Sequence, residues 1–287
     1  MELSRTLSAT RYRLSFREPD LLAESKVALE IAEDILKATG ALKRWINFPL
    51  INRNGDASQI ELVDYVGAGI ATSFSQKMPL MREVLAQFTR WGFDIQYARI
   101  AILFDRDVLR PHFDMYQATR FLLPLTDQGD DFRHLFENVC VSMHAGELWG
   151  LDGGRCHGAA NVSAKGTRVM LLIDTRLRQN GPDWFYEPWE IPPDRIVTRP
   201  EWSPVVRDMV FERAARISVE SGLEAAEYSI LMGAFEYEIS ATAIYSELLR
   251  FCEQMANKKE TPYGATAWRR YAEGLRRPQL PFQVPAS

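Results

Sequence analysis

The sequence predicts a mainly β protein, a barrel or sandwich of short strands with helices before and after it. Three observations carry this. Between Ile95 and Asp174 short apolar runs recur at regular spacing, separated by Asp, Gly, Pro and His, which is how the strands of a barrel or sandwich read. On both sides of that region the apolar spacing becomes helical. The 287 residues, 46% hydrophobic and 25% charged, suffice for one substantial globular core, or for one core with a smaller appended unit. The division expected is residues 1–190 for the β core with its buttressing helices and 200–287 for a small C-terminal helical domain.

In chain order, Leu14 to Phe16 close a first short strand, and Asp20 is placed as the N-cap of a helix to about Ala38. Its apolar stripe is Leu21, Leu22, Ala28, Leu29, Ala32, Ile35 and Leu36, and Gly40 ends it. A helix apolar on one side packs on the outside of a β core. Trp45 to Ile51 reads as a strand, Asn52-Arg53-Asn54-Gly55 as a turn, and Pro79 to about Phe88 as a second helix. Thr126 to Phe136 is polar and is expected to form a loop at a pocket mouth. Gln179 to Pro200, with Trp184, Phe185, Tyr186 and Trp189 among its prolines, reads as a structured linker or a lid. Ser203-Pro204 pairs an N-cap with a first-turn proline and opens a helix to about Ser221. Two further helices are expected near Leu223 to Glu236 and Ala241 to Asn257, packing as a small bundle against the barrel or joining two copies of the chain in a homodimer.

Charge and cysteine content exclude several classes. A net charge of −4 and a pI near 5.7 leave no broad basic face for nucleic acid, and the pairs Arg269-Arg270 and Arg276-Arg277 read as solvated helix faces. Cys140, Cys156 and Cys252 show no C-x-x-C spacing and suit a reducing cytoplasm. The first residues, Met1-Glu-Leu-Ser-Arg-Thr6, contain no apolar signal core, and no apolar run approaches a membrane span. A cytoplasmic protein acting on a small molecule is the expectation.

The chemistry is concentrated in four residues. His112 and Asp114 lie two apart just after the apolar run Ile100 to Phe104, and residues two apart on a strand share a face. His157 ends Trp149-Gly-Leu-Asp-Gly-Gly-Arg-Cys-His157, where a glycine turn can return a third ligand from a neighbouring strand. Two imidazoles and a carboxylate on one face of an octahedral metal leave three positions open, the arrangement of non-haem Fe(II) oxygenases; zinc sites more often close around the ion. A 2-oxo acid chelated there would supply electrons for O2 activation, and its far carboxylate would need a cation. Arg168, at the start of the β run ending at Asp174, offers a bidentate fork. Singly, each of these residues has an ordinary structural explanation; order, spacing and strand context together carry the inference.

The segment from Tyr97 to Asp174 resembles the bacterial free-amino-acid hydroxylases of the L-proline cis-hydroxylase type. These are Fe(II)- and 2-oxoglutarate-dependent dioxygenases related to the aspartyl/asparaginyl β-hydroxylases. The resemblance lies in Tyr97-Ala-Arg-Ile100, Pro111-His-Phe-Asp114, Thr119-Arg-Phe-Leu-Leu-Pro-Leu125, Met143 to Asp152, His157-Gly-Ala-Ala-Asn161 and Thr167-Arg-Val-Met-Leu-Leu-Ile-Asp174. It implies a double-stranded β-helix of the cupin or jelly-roll kind, His112, Asp114 and His157 on iron, Arg168 on 2-oxoglutarate, and a small extra C-terminal helical domain. Arg99 and Arg120 match family arginines, and either is placed to hold the carboxylate of an amino acid. Where that family commonly reads Arg-x-His-Leu, this chain reads Arg120-Phe-Leu-Leu. His134 and His144 match no ligand of the family and read as surface or supporting residues.

The function these features imply is hydroxylation of a free L-amino acid of the proline, pipecolic acid or lysine type, with release of succinate and CO2. Desaturation is a related outcome of the same chemistry. Tyr116 and Trp149 are the candidate pocket walls. The alternatives are a non-catalytic cupin-like protein that binds a metal or small ligand, and an interaction protein built on the C-terminal helices; neither accounts for Arg168 lying beside a complete ligand set.

Overall fold

The computed structural model describes residues 9–13, 18–40, 45–60, 67–114, 119–127, 129–151, 154–163, 165–178, 191–258 and 263–276. The expected strand at Leu14 to Phe16, Tyr116 and the aromatic segment Trp184 to Trp189 lie outside them.

The N-terminal part contains β1 (Ala9–Arg13), α1 (Glu18–Thr39), β2 (Trp45–Asn52), β3 (Ile70–Ala71), α2 (Ser73–Gln76) and α3 (Pro79–Arg90). Eight strands follow: β4 (Phe93–Leu103), β5 (Val108–His112), β6 (Thr119–Pro124), β7 (Phe132–Phe136), β8 (Val139–Ser142), β9 (Glu147–Leu151), β10 (His157–Asn161) and β11 (Arg168–Leu177). They divide between a seven-stranded sheet ordered β1-β9-β6-β11-β4-β2-β3 and a four-stranded sheet ordered β5-β10-β7-β8. Numbered from β4, the eight run sixth-third-eighth-first in the large sheet and second-seventh-fourth-fifth in the small one, paired antiparallel throughout. This winding is a double-stranded β-helix, the jelly roll.

Strand alternation separates three cores. On β4 and β11, Ile100, Ile102, Val169, Leu171 and Ile173 face outward and share a cluster with Leu21, Ala28, Ile31 and Ala32 of α1 and Met81, Val84, Leu85 and Phe88 of α3. Phe88 meets Phe121 at 5.0 Å and Phe93 at 5.7 Å, ring contacts that add about 0.5–1.5 kcal/mol each beyond area burial. The alternate residues Ala101, Met170 and Leu172 point into the barrel with Leu122, Phe136 and Trp149. The outer face of the small sheet, including Val108, Leu135 and Ala160, shares a third core with the C-terminal helices.

Those helices are α4 (Pro204–Ser221), α5 (Leu223–Glu236), α6 (Ala243–Asn257) and α7 (Gly264–Arg276). Ser203 caps α4 by accepting from Val206 N at 3.3 Å, with Pro204 in the first turn as its spacing predicts. In α7, which the sequence suggests only through its arginine pairs, Trp268 packs edge-on against Phe251 at 5.4 Å. None of the described helices is long and apolar enough to cross a membrane.

Three expectations are corrected. α1 begins at Glu18, with Pro19 in its first turn, so Asp20 lies inside the helix. Leu22 is 49% exposed while Ile31 is buried, because one residue on from Leu21 is about 100° round the helix, off the core-facing side. Thr126 to Phe136 is not a loop throughout: Phe132–Phe136 is β7, which pairs with β8 and β10. Its alternation was hidden because inward His134 is polar and outward Arg133 is drawn into the helices, donating to the Phe235 carbonyl at 2.6 Å.

Candidate metal centre

His112 ends β5, His157 begins β10, and the two are direct partners across the ladder. Their ring centroids lie 4.4 Å apart. Each imidazole donates Nδ1–H to a carbonyl two residues back, His112 to Arg110 at 2.8 Å and His157 to Arg155 at 2.9 Å. A carbonyl only accepts, so these bonds assign the tautomer and leave both Nε2 lone pairs facing the barrel. Asp114 completes the set, Oδ1 lying 3.5 Å from His112 Nε2 and Oδ2 3.4 Å from His157 Nε2. Together the three residues offer ligand atoms within 4.8 Å of one another, near enough to share one ion. Two borderline nitrogens and one hard oxygen suit a divalent first-row metal.

The carboxylate is supported from the large sheet. Arg120 on β6 directs Nη1 to Asp114 Oδ2, while Asp174 on β11, directly opposite, takes Nε at 2.7 Å and Nη2 at 3.1 Å. Burial pushes Asp114 up, but the adjoining Arg120 guanidinium is the largest opposing influence, and the carboxylate ends below the usual range. His157 is drawn down by burial against the opposing pull of Asp114, so it stays a neutral ligand.

Two further arginines face the barrel interior without a carboxylate partner among the described residues. Arg168 is buried, donates from Nη2 to His134 Nδ1 at 2.5 Å and touches the Met170 sulfur at 3.5 Å. Burial alone pushes it down to about 9. His134 sits on β7 opposite Ala159, two residues or about 7 Å along β10 from the level of His157. Burial and then Arg168 hold His134 well below its ordinary value, hence neutral. Arg99, on β4 opposite Leu172, lies four residues along β11 from Arg168, its guanidinium 5.7 Å from the Tyr97 ring centre and its Nε without a hydrogen bond. Burial and then Arg120 pull Arg99 down as well.

The remaining candidates fall differently. Arg120 is committed between two carboxylates and so supports a ligand instead of presenting a free fork. Trp149 is fully buried in the inner cluster, its Nε1 donating to Glu147 at 3.2 Å. Leu122, where the family commonly has a histidine, belongs to the same apolar cluster.

Residues 17–177, more than half of the chain, match the model of the aspartyl/asparaginyl β-hydroxylases. The chain belongs to that family. As a family member it is 30% identical over 190 residues to L-proline cis-3-hydroxylase 1 from Streptomyces sp, and the match spans 62% of each chain. Among solved structures it is similar to AviO1 from Streptomyces viridochromogenes Tue57, with 14% identity, a TM-score of 0.40 and coverage of 61% of this chain and 91% of the other. It is also similar to HygX from Streptomyces hygroscopicus with nickel and 2-oxoglutarate bound, with 11% identity, a TM-score of 0.38 and coverage of 64% and 86%.

Sequence reasoning missed Asp174 and left His134 as a surface or supporting residue. Asp174 ends a quoted motif, and its place opposite Arg120 would have followed from pairing the two strands. His134 gave no local signal, because it reaches Arg168 from the other sheet.

Proposed function

We propose that the chain is an Fe(II)- and 2-oxoglutarate-dependent hydroxylase of a free L-amino acid. The observation that carries this reading is the pairing of a three-ligand set, its Nε2 atoms oriented by backbone hydrogen bonds, with Arg168, a buried cation that has no carboxylate partner among the described residues. A purely structural metal site needs no such cation.

His112, Asp114 and His157 would hold iron and leave positions for a 2-oxo acid and O2. With these bound, the centre would couple oxidative decarboxylation of 2-oxoglutarate to succinate and CO2 with transfer of the second oxygen atom into a substrate C–H bond. Arg168 binds the distal carboxylate of the co-substrate, with neutral His134 steadying its guanidinium. Arg120 orients Asp114 and is fixed in turn by Asp174. Arg99 takes the substrate carboxylate, which would satisfy its orphaned Nε. Similarity to a proline hydroxylase supports an amino acid of the proline, pipecolic acid or lysine type.

The test is anaerobic reconstitution with Fe(II) and 2-oxoglutarate, then oxygen and a panel of free L-amino acids, read by mass spectrometry. Succinate together with one amino acid heavier by one oxygen atom supports the proposal. Succinate without a heavier amino acid overturns the substrate class, and no succinate overturns the enzyme.

A further inference from the structure

β5 carries one residue more than the stretch of β10 beside it. His157 stands opposite His112 and Ala159 opposite Leu109, so three steps on β5 match two on β10. Arg110 and Pro111 therefore form a bulge immediately before a metal-site histidine. Bulges interrupt the ladder and re-aim the side chains next to them, and Pro111 has no N–H to contribute. Sheet pairing alone leaves the peptide that delivers His112 under-determined.

The helical unit supplies the missing restraints. Tyr245 of α6 donates its hydroxyl to the Pro111 carbonyl at 2.6 Å, and that carbonyl belongs to the peptide leading into His112. Buried Glu227 of α5 places Oε1 3.1 Å from Arg110 Nε, an ion pair more than an aligned hydrogen bond. The Arg110 guanidinium also lies 5.1 Å from the Tyr228 ring centre, and the Arg110 carbonyl is the acceptor for His112 Nδ1–H. The other ligand strand is gripped as well. A Cβ on Gly158, next to His157, would lie 3.2 Å from the Phe235 ring, 3.2 Å from Pro111 Cα and 3.0 Å from the Leu109 carbonyl. Any side chain at this position would push α5 or the bulge back by a few tenths of an ångström.

We infer that α5 and α6 act as a clamp for the metal centre, in which Tyr245 and Glu227 are positioning residues. Neither touches the metal or the substrate. They hold the Arg110-Pro111 bulge so that His112 Nε2 converges with His157 and Asp114. The inference rests on the metal reading above. It makes metal affinity depend on side chains of a helical unit that contributes no ligand, and metal binding must stabilise the seating of that unit in return.

The test is titration of the metal-free full chain with Co(II) and with Fe(II) under anaerobic conditions, following the cobalt ligand-field spectrum and thermal unfolding. Tyr245→Phe removes one hydroxyl and keeps the ring; Glu227→Gln replaces the carboxyl facing Arg110, which burial raises to about 7, with a neutral amide. Phe211→Leu, in α4 against Phe251 at 5.3 Å, weakens the same helical core away from the bulge and serves as the stability control. Both positioning variants are expected to bind metal about tenfold or more weakly, with a changed cobalt spectrum, while Phe211→Leu lowers the unfolding temperature and keeps wild-type affinity. Wild-type affinity in both positioning variants overturns the inference. So does a loss of affinity in Phe211→Leu equal to theirs, which would reduce the contacts to general stability. A wild-type chain that binds no metal fails the underlying reading itself, and that outcome is distinct from the other two.

Discussion

Asp174 and Arg120 face each other directly across β11 and β6, the carboxylate taking Nε and Nη2 while Nη1 turns to Asp114. The metal-site carboxylate is thus set by a residue sixty positions away in sequence, through one guanidinium. Arg120→Met would leave two buried carboxylates without their shared cation. Breaking a buried pair in this way costs about 3–5 kcal/mol, and urea unfolding should show a loss of that size. A change within about 1 kcal/mol would mean that solvent already screens the pair.

Arg168 should behave in the opposite way. Its described partners are a neutral histidine and a weakly accepting thioether sulfur, so Arg168→Met relieves a buried charge and costs one good hydrogen bond, terms of about 1–3 kcal/mol each that oppose one another. The expected outcome is a nearly unchanged unfolding midpoint with 2-oxoglutarate affinity at least about tenfold weaker, as for loss of a charge-assisted hydrogen bond. Equilibrium dialysis reads it; undiminished affinity would place the anchor elsewhere.

Arg99→Met should separate substrate from co-substrate. The amino-acid KM should rise while succinate formed in the absence of amino acid stays at its wild-type level. Equal losses in both would move Arg99 from the substrate to the metal or 2-oxoglutarate.

His134 predicts a pH dependence. Burial, and then Arg168, hold its folded-state value well below the ordinary one. In the unfolded chain a histidine takes up its proton near pH 6.5. Below that pH the unfolded state binds a proton that the folded state refuses, so stability present above about 6.5 falls as pH drops, by about 1.4 kcal/mol per unit from this group. In the metal-free protein His134→Gln should flatten the fall between pH 6 and 5 by roughly that amount. An unchanged slope would show that His134 is charged when folded.

What could be read from sequence was what is local. The His112–Asp114 spacing, the glycine turn before His157 and the Ser203-Pro204 start of α4 each declare themselves within a few residues. The eight-strand winding was implied by family resemblance, because strand order is a long-range property that alternation alone leaves open. The supporting shell was illegible for the same reason. Asp174 meets Arg120 over 54 residues and Arg168 meets His134 over 34, and His134 looks like a loop residue until the barrel closes. Arg120 was read as one of two candidates for a substrate carboxylate; the structure sets it between nearby Asp114 and Asp174, and the second of these is legible only once β6 and β11 pair.

The most direct test of the central claim is a reaction under isotopically heavy oxygen gas with Fe(II), 2-oxoglutarate and the amino acid that the panel selects, run beside Asp114→Ala. One heavy atom in succinate and one in the hydroxylated amino acid, with both products lost in a folded Asp114→Ala protein, is the predicted result. Succinate formation that survives loss of Asp114, or a hydroxyl oxygen that carries no label from the gas, would contradict it.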